Sequence, residues 1–139
     1  MNYLLDTCVL SEFTRRQPEP RVINWLDSVE EEKLFISVIT IGEIQRGIER
    51  LPNSNRKTVL LVWMNIGLLE RFADRMIAID APTMLMWGSL VARLEAAGQP
   101  IGIMDSLVLA SALQHNLIVA TRNVADFLSG GVQVINPWE

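Results

Sequence analysis

Positive charge is scarce in this sequence. Its 139 residues hold 12 lysines and arginines against 16 aspartates and glutamates, which gives a formal net charge of -4. Proteins that hold nucleic acid mainly through phosphate contacts usually carry a basic excess. The charge balance therefore argues against a long nucleic-acid footprint. It favours a small, local contact or a basic protein partner, and a bound metal ion would be another source of positive charge.

Cysteine and histidine are nearly absent, since Cys8 and His115 are the only ones. A single cysteine excludes an internal disulfide and suits a reducing compartment. A zinc site built from cysteine and histidine is excluded as well, because two ligands are too few. Any metal bound by this chain would therefore be held by oxygen.

Long hydrophobic runs are also missing. The most apolar stretch, residues 59–64, is followed at once by Asn65 and Gly67, whereas a membrane span needs about 20 apolar residues. The opening MNYLLDTCVL lacks the basic region and the cleavage site of a secretory signal. We therefore predict a cytoplasmic protein with no membrane contact, folded as a single domain over residues 1–139 with an ordinary core.

Strand-like and helix-like segments alternate along the chain. Short, branched, apolar runs predict strands at 3–5, 34–38, 76–79 and 117–120, and 132–135 is a candidate edge strand. The segments between them predict helices at 8–14, 20–28, 40–51, 56–72, 82–97, 105–116 and 124–128. This alternation predicts an α/β fold, in which helices cover both faces of a parallel four- or five-stranded sheet (an α/β/α sandwich).

The predicted helix at 56–72 is apolar almost all round. A helix of this kind must be covered on more than one side. Two interpretations stay open: the helix is wedged between the sheet and its neighbours, or it forms a subunit interface.

Four acidic residues fall where the chain meets one edge of the predicted sheet. Asp6 directly follows the first strand, and Glu43 lies early in the helix after the second. Asp105 opens the helix before the fourth strand, and Asp126 lies in the short helix after that strand. In open α/β sheets, sites form beyond the carboxyl ends of the strands, where crossover helices also begin. We therefore expect the four carboxylates to meet at this edge.

Each acid alone has a structural explanation. Thr40 and Glu43 have the spacing of a capping box, while Asp6 and Asp105 suit N-cap positions. The four together are different, because two like charges about 4 Å apart repel by about 4 kcal/mol at an effective dielectric of about 20. Such a cluster calls for a cation. Oxygen-only ligands indicate a hard ion, Mg²⁺, with Mn²⁺ as a substitute.

The same segments resemble the motifs of the PIN-domain family, in order and over essentially the whole chain. LLDTCVLSE resembles the first motif, SVITIGEIQRGIERL the second, and IMDSLVLASALQHNLIVATRNVADF the third and fourth. The similarity is strongest to the VapC/FitB branch, the toxin halves of bacterial toxin–antitoxin pairs. It implies Mg²⁺-dependent endoribonuclease activity, with Asp6, Glu43 and Asp105 as the core acids.

The resemblance also implies roles for other residues. Asp126 is favoured over Asn123 as the fourth acid, because an amide supplies no charge. In the mechanism we predict, Asp6 and Asp105 hold the metal, and Glu43 and Asp126 bind it through water or share a second ion. Candidate substrate contacts are Thr7, Arg46, Thr121, Arg122 and Asn123. Cys8 departs from the family, which often has Asn or Ser there, and this change could weaken activity.

Partners follow from the resemblance too. A toxin needs a cognate antitoxin, and an acidic crevice with apolar neighbours suits a segment that carries Arg and apolar residues. Homodimerisation is expected as well. Two alternatives remain, a non-catalytic PIN-fold interaction module and a DNA-acting nuclease of the same fold. A signalling receiver domain is excluded, because it needs a Lys late in the chain and the only lysines are Lys33 and Lys57.

Overall fold

The structure is a computed structural model that describes residues 1–139. Its centre is a parallel sheet of five short strands in the order β3-β2-β1-β4-β5. The predicted parallel α/β fold is confirmed, and the candidate edge strand is the fifth. The strands are β1 (Tyr3–Leu5), β2 (Leu34–Ser37), β3 (Met76–Ile77), β4 (Ile118–Ala120) and β5 (Val134–Ile135).

Helices lie between all consecutive strands, and the last two strands, β4 and β5, are joined by one short helix and a turn. They are α1 (Thr7–Ser11), α2 (Pro20–Ser28), α3 (Val38–Glu49), α4 (Asn55–Val62), α5 (Leu69–Arg71), α6 (Ala81–Ala96), α7 (Ile103–His115) and α8 (Val124–Ser129). Short 3₁₀ turns occupy Glu12–Thr14 and Glu31–Lys33, and a π-helical segment, Trp63–Leu68, joins α4 to α5. No helix combines the length and the apolar character needed to cross a bilayer.

The sheet is buried on both faces, because alternate strand residues enter two separate cores. Leu5 and Ala120 belong to a cluster with the residues of α1 to α5, whereas Leu4 and Val119 belong to one with α6, α7 and α8. Successive side chains of a strand point to opposite faces. Fully apolar strands are thus required, and the sequence supplies them.

Strand register brings distant residues together at the carboxyl edge. Leu5 pairs with Ala120, so that Asp6 and Thr121 leave the sheet side by side. On the other flank of β1, α3 begins directly after Ser37, the last residue of β2. The edge therefore gathers the starts of α1, α3 and α8.

Two predicted helix starts are wrong. The side chain of Ser37 accepts the backbone N–H of Ile39 and caps α3, so the helix starts at Val38, two residues before the expected Thr40. Thr40 is fully buried and its hydroxyl has no partner, and the predicted capping box with Glu43 does not form. Likewise, α7 is preceded by Gly102 and not by Asp105, which lies in its first turn. Asp6 does cap α1, as predicted.

The apolar helix at 56–72 is covered on one side only. Leu60, Met64 and Leu68 are buried in the first core, whereas Val59, Val62 and Ile66 are between 53% and 65% exposed. One face of this segment is therefore packed against the protein core, as the first interpretation predicted. The other face is an open apolar stripe, and its role as a subunit interface stays a prediction.

Candidate active site

An open crevice of about 560 Å³ lies at the carboxyl edge of the sheet. Three of the four predicted acids line it, and the residues that surround it come from four different parts of the chain. They are Asp6, Thr7, Cys8, Glu43, Asp105, Arg122 and Asn123. We call this cavity the acidic crevice.

Asp6 is the most firmly held of the acids. It directly follows β1, it is only 7% exposed, and one of its oxygens, Oδ1, accepts the backbone N–H of Thr7 at 2.9 Å. Its other oxygen, Oδ2, accepts the hydroxyl of Thr121 at 2.7 Å, and that hydroxyl in turn accepts the backbone N–H of Asn123 at 2.9 Å. The carboxylate is therefore fixed in place by two neighbouring strand ends.

Glu43 is oriented by the residue next to Asp6. The hydroxyl of Thr7 donates to Oε1 of Glu43 at 2.8 Å, which joins α1 to α3 across the crevice. The second oxygen of Glu43, Oε2, has no hydrogen-bond partner in the protein. One oxygen is thus positioned by the fold while the other stays available.

The pKa of Asp105 reflects both its burial and its closeness to the other acids. Burial and the negative charges of Asp6, Glu43 and Asp126 together raise the pKa of Asp105 to about 6. Only the Asn123 amide, 3.4 Å from Asp105 Oδ2, favours the charged form. None of the four acids forms a salt bridge with an arginine or lysine. The acids repel one another, and no basic side chain is paired with any of them.

Asn123 and Asp126 act as a linked pair. The amide nitrogen of Asn123 donates to Oδ2 of Asp126 at 3.0 Å and lies between this acid and Asp105. Asn123 lines the crevice, whereas Asp126 is exposed behind it and contributes its charge from there.

Among the described residues, no three cysteine, histidine or acidic side chains converge tightly enough to form a preformed metal cage. The acids surround a crevice instead of a single point. The donor set nevertheless fits a hard divalent cation, because it is all oxygen and carries several uncompensated negative charges.

The predicted substrate contacts divide into two groups. The hydroxyls of Thr7 and Thr121 are already donated to Glu43 and Asp6, so both threonines position acids in this structure. Arg122 and Asn123 line the crevice itself. Arg46 lines a neighbouring groove of about 460 Å³, which shares Thr7 and Glu43 with the crevice.

Cys8 packs beside the most buried acid. Its sulfur lies 3.8 Å from Asp6 Oδ2 and 3.7 Å from the Thr121 hydroxyl. Burial, helped by the charge of Asp6, raises the pKa of the Cys8 thiol above its usual value. The thiol is therefore a neutral group at neutral pH and adds no charge to the crevice.

Sequence reasoning missed Trp138. The guanidinium carbon of Arg122 lies 4.2 Å from the centre of the Trp138 ring. The only local signal is the Asn136-Pro137 pair before it, which predicts a turn but not where the turn places the ring.

Comparison with known proteins gives a consistent result. Residues 3–127 match the PIN domain family. Toxin FitB of Neisseria gonorrhoeae is 38% identical over 135 residues, which cover 97% of each chain. The VapC ribonuclease Y4jK of Sinorhizobium fredii is 32% identical over 136 residues, which cover 98% of this chain and 97% of its own. The crystal structure of FitAcB from N. gonorrhoeae matches with a TM-score of 0.94 at 37% identity and covers 99% of both chains.

Over nearly its whole length this chain is thus similar to a toxin and to a VapC ribonuclease, and its fold matches that of FitAcB. The chain belongs to the PIN domain family and is of the VapC/FitB type.

Proposed function

We propose that this protein is a Mg²⁺-dependent endoribonuclease and the toxin of a toxin–antitoxin pair. The observation that carries the proposal is the set of four acids at one sheet edge, none of which forms a salt bridge with an arginine or lysine. Relatives named as a toxin and as VapC ribonucleases support it.

The oxygen donors that would hold the ion are those of Asp6 and Asp105, with Glu43 and Asp126 acting directly or through water. When bound, the ion supplies positive charge to the scissile phosphate and lowers the pKa of a water molecule. Thr121 and Thr7 keep Asp6 and Glu43 in position through their hydroxyl groups. Asn123 keeps the remaining two acids on one side of the crevice.

The chemistry is direct hydrolysis of an RNA phosphodiester. Glu43 Oε2, the oxygen that Thr7 leaves free, is suited to accept a proton from the attacking water. The new P–O bond forms as the bond to the leaving oxygen breaks, and that oxygen departs from the phosphorus with the bonding electron pair and takes up a proton from solvent.

A cognate antitoxin is the second part of the proposal. Similar solved structures are toxin–antitoxin complexes, and they include FitAB bound to a DNA fragment. In this chain an apolar pocket of about 260 Å³ adjoins the crevice through Thr7 and Glu43, and Ile44, Ile48 and Trp63 line it. A partner segment with apolar side chains and an arginine would fit both cavities.

Homodimerisation completes the proposal and rests on family resemblance together with the exposed stripe of Val59, Val62 and Ile66. Light scattering on the purified chain checks it. A dimer that Val62→Glu dissociates would support the stripe as the interface, and a monomer would contradict the proposal.

The function is tested by incubating the purified protein, freed of any antitoxin, with mixed RNA and Mg²⁺. We expect cleavage that EDTA abolishes and that Asp6→Asn reduces by at least about a thousandfold. Glu95→Gln, a charge change on the exposed part of α6, is the matched control and should cleave normally. Cleavage of DNA alone would favour the DNA-acting alternative. No cleavage and no Mg²⁺ binding by the folded protein would favour the interaction module.

A further inference from the structure

Arg122 is the only basic residue that lines the acidic crevice. It is exposed, it forms no salt bridge, and its guanidinium donates no hydrogen bond to any atom of the protein. An arginine that stabilises the fold uses its donors, as Arg75 does with the Glu31 carboxylate and three backbone carbonyls. All five N–H groups of Arg122 are therefore free for a ligand in the crevice.

Contact with the Trp138 ring restricts the position of the Arg122 guanidinium. Strand β5 pairs with β4, and the backbone N–H of Thr121 donates to the carbonyl of Ile135 at 3.0 Å, so the chain after β5 leaves the sheet beside Arg122. The side chain of Asn136 then accepts the backbone N–H of Trp138 at 3.0 Å and closes a tight turn. This turn brings the indole ring against Arg122, which lines the crevice.

The ring itself is fixed. Trp138 is only 7% exposed and packs in the first core with Leu5, Val9 and Ala120. Its Nε1 has no hydrogen-bond partner, so packing alone determines its position. The Arg122 guanidinium lies 4.2 Å from the centre of the ring, within the range of a cation–π contact. A long, flexible side chain is thus held against a rigid surface.

We propose that Trp138 is a positioning residue, which holds Arg122 as a clamp for a phosphodiester of the RNA substrate. This inference rests on the proposed function and deepens it. A planar guanidinium matches two oxygens of one phosphate, and restraint in advance lowers the entropy lost on binding. The clamp also adds a positive charge for RNA at an acidic crevice, in a chain whose net charge is -4.

The test measures cleavage of a defined RNA in Mg²⁺ for wild type, Arg122→Ala, Trp138→Leu, Trp138→Phe and the double variant R122A/W138L. Binding of the same RNA to each variant, made in the Asp6→Asn background, is measured over a range of salt concentrations. Phe13→Leu is the matched control, because Phe13 lies under Arg71 at 5.1 Å in a cation–π pair made by a different arginine. Melting curves confirm that each variant is folded.

We expect Arg122→Ala to raise KM by about tenfold with little change in kcat, and to lower the salt slope of binding by about 1. Trp138→Leu should raise KM by about threefold, and the double variant should resemble Arg122→Ala alone. Trp138→Phe loses no hydrogen bond, because Nε1 makes none, and should recover most of the wild-type KM. Phe13→Leu should leave KM unchanged.

Three results would overturn the inference while leaving the nuclease intact: an Arg122→Ala defect confined to kcat, a Trp138→Leu variant with wild-type KM, or effects of the two substitutions that add fully. If Trp138→Leu does not fold, Trp138→Phe tests the clamp in its place. A KM of Trp138→Phe as high as that of Arg122→Ala would then contradict the clamp. A folded wild-type protein that neither cleaves nor binds RNA would overturn the proposed function and the clamp together.

Discussion

Two clusters of charged side chains in this molecule shift the pKa of a carboxylate in opposite directions. In the Glu31 cluster, formed by Glu31, Arg71 and Arg75, one carboxylate accepts from two guanidiniums: Arg71 at 2.7 and 2.8 Å, and Arg75 at 3.0 Å. Hydrogen bonds from Arg71 and then Arg75 lower the pKa of Glu31 to about 2. In the acidic crevice no carboxylate is bonded to a guanidinium, and burial together with the neighbouring negative charges raises the pKa of Asp105 to about 6.

The difference separates a structural role from a functional one. Arg75 is 9% exposed and ties the 3₁₀ turn before β2 to α5, because it also donates to the carbonyls of Leu34 and Arg71. Every charge there has a partner and the cluster holds the fold together. The crevice is electrostatically incomplete, which is unfavourable for the isolated protein but suited to a cation. Four predictions sharpen this contrast, from the largest expected effect to the smallest.

Breaking the Glu31 cluster should cost the most stability. We expect Arg75→Met to lower the free energy of unfolding by about 3 kcal/mol, because it removes one of the two guanidiniums bound to Glu31 and leaves three backbone carbonyls without their donor. Denaturant unfolding measures this loss. Arg21→Met is the control, since Arg21 forms an exposed ion pair with Glu19 and should change stability very little. Equal stabilities of the two variants would mean that the cluster does not hold the fold together.

Removing a charge from the crevice should raise the free energy of unfolding instead of lowering it. Without divalent cations at pH 7, we expect Asp105→Asn to stabilise the protein by about 1 kcal/mol. The gain is limited because the side chain is partly exposed and solvent screens its neighbours. The same unfolding assay measures it, with Glu95→Gln as the control for loss of one negative charge. A loss of stability in Asp105→Asn would contradict the electrostatic account of the crevice.

The two clusters should also respond to pH in opposite directions. The folded pKa of Asp105 lies above its unfolded value, so the native state binds the extra proton, and stability should fall as pH rises from about 4 to about 6. The folded pKa of Glu31 lies below its unfolded value, so stability should fall as pH drops from about 4.5 to about 2.

Stability of the metal-free protein against pH measures both windows. Asp105→Asn should flatten only the upper one and Glu31→Gln only the lower one. Independent titration of the two carboxylates requires that each variant change only its own pH range. A variant that changed both ranges would contradict this prediction.

The smallest effect concerns the orientation of Glu43. Thr7→Val keeps the shape of the side chain but removes the hydroxyl that donates to Glu43 Oε1 at 2.8 Å. We expect kcat to fall about fivefold, the equivalent of one hydrogen bond of about 1 kcal/mol, with KM nearly unchanged. Thr7→Ser should restore the wild-type rate. A change confined to KM would instead make Thr7 a substrate contact, the role that the sequence first suggested.

The sequence predicted the parts of this site that depend on single strand ends. Asp6 was placed correctly because a parallel strand delivers the next residue to the carboxyl edge, and Asp105 because a crossover helix starts there. Helix starts were less accurate. Ser37 and Thr40 are both good caps by residue type, and the end of β2 decides between them.

Contacts between residues far apart in the chain could not be predicted from the sequence. The contacts of Thr7 with Glu43 and of Arg122 with Trp138 join separate elements, and they depend on how α1, α3 and the turn after β5 pack. Neither has a local pattern. The arrangement of Asn123 between Asp105 and Asp126 likewise requires that two helix starts meet.

The central claim is that the acidic crevice is built for a cation. The most direct measurement is the melting temperature of the wild type and of Asp105→Asn, each with and without Mg²⁺. Without Mg²⁺ the variant should melt higher, because a repelling charge is gone. With Mg²⁺ the wild type should rise above the variant, because binding to the native state stabilises it. A wild-type melting temperature that Mg²⁺ leaves unchanged, or that rises equally in both proteins, would contradict the claim.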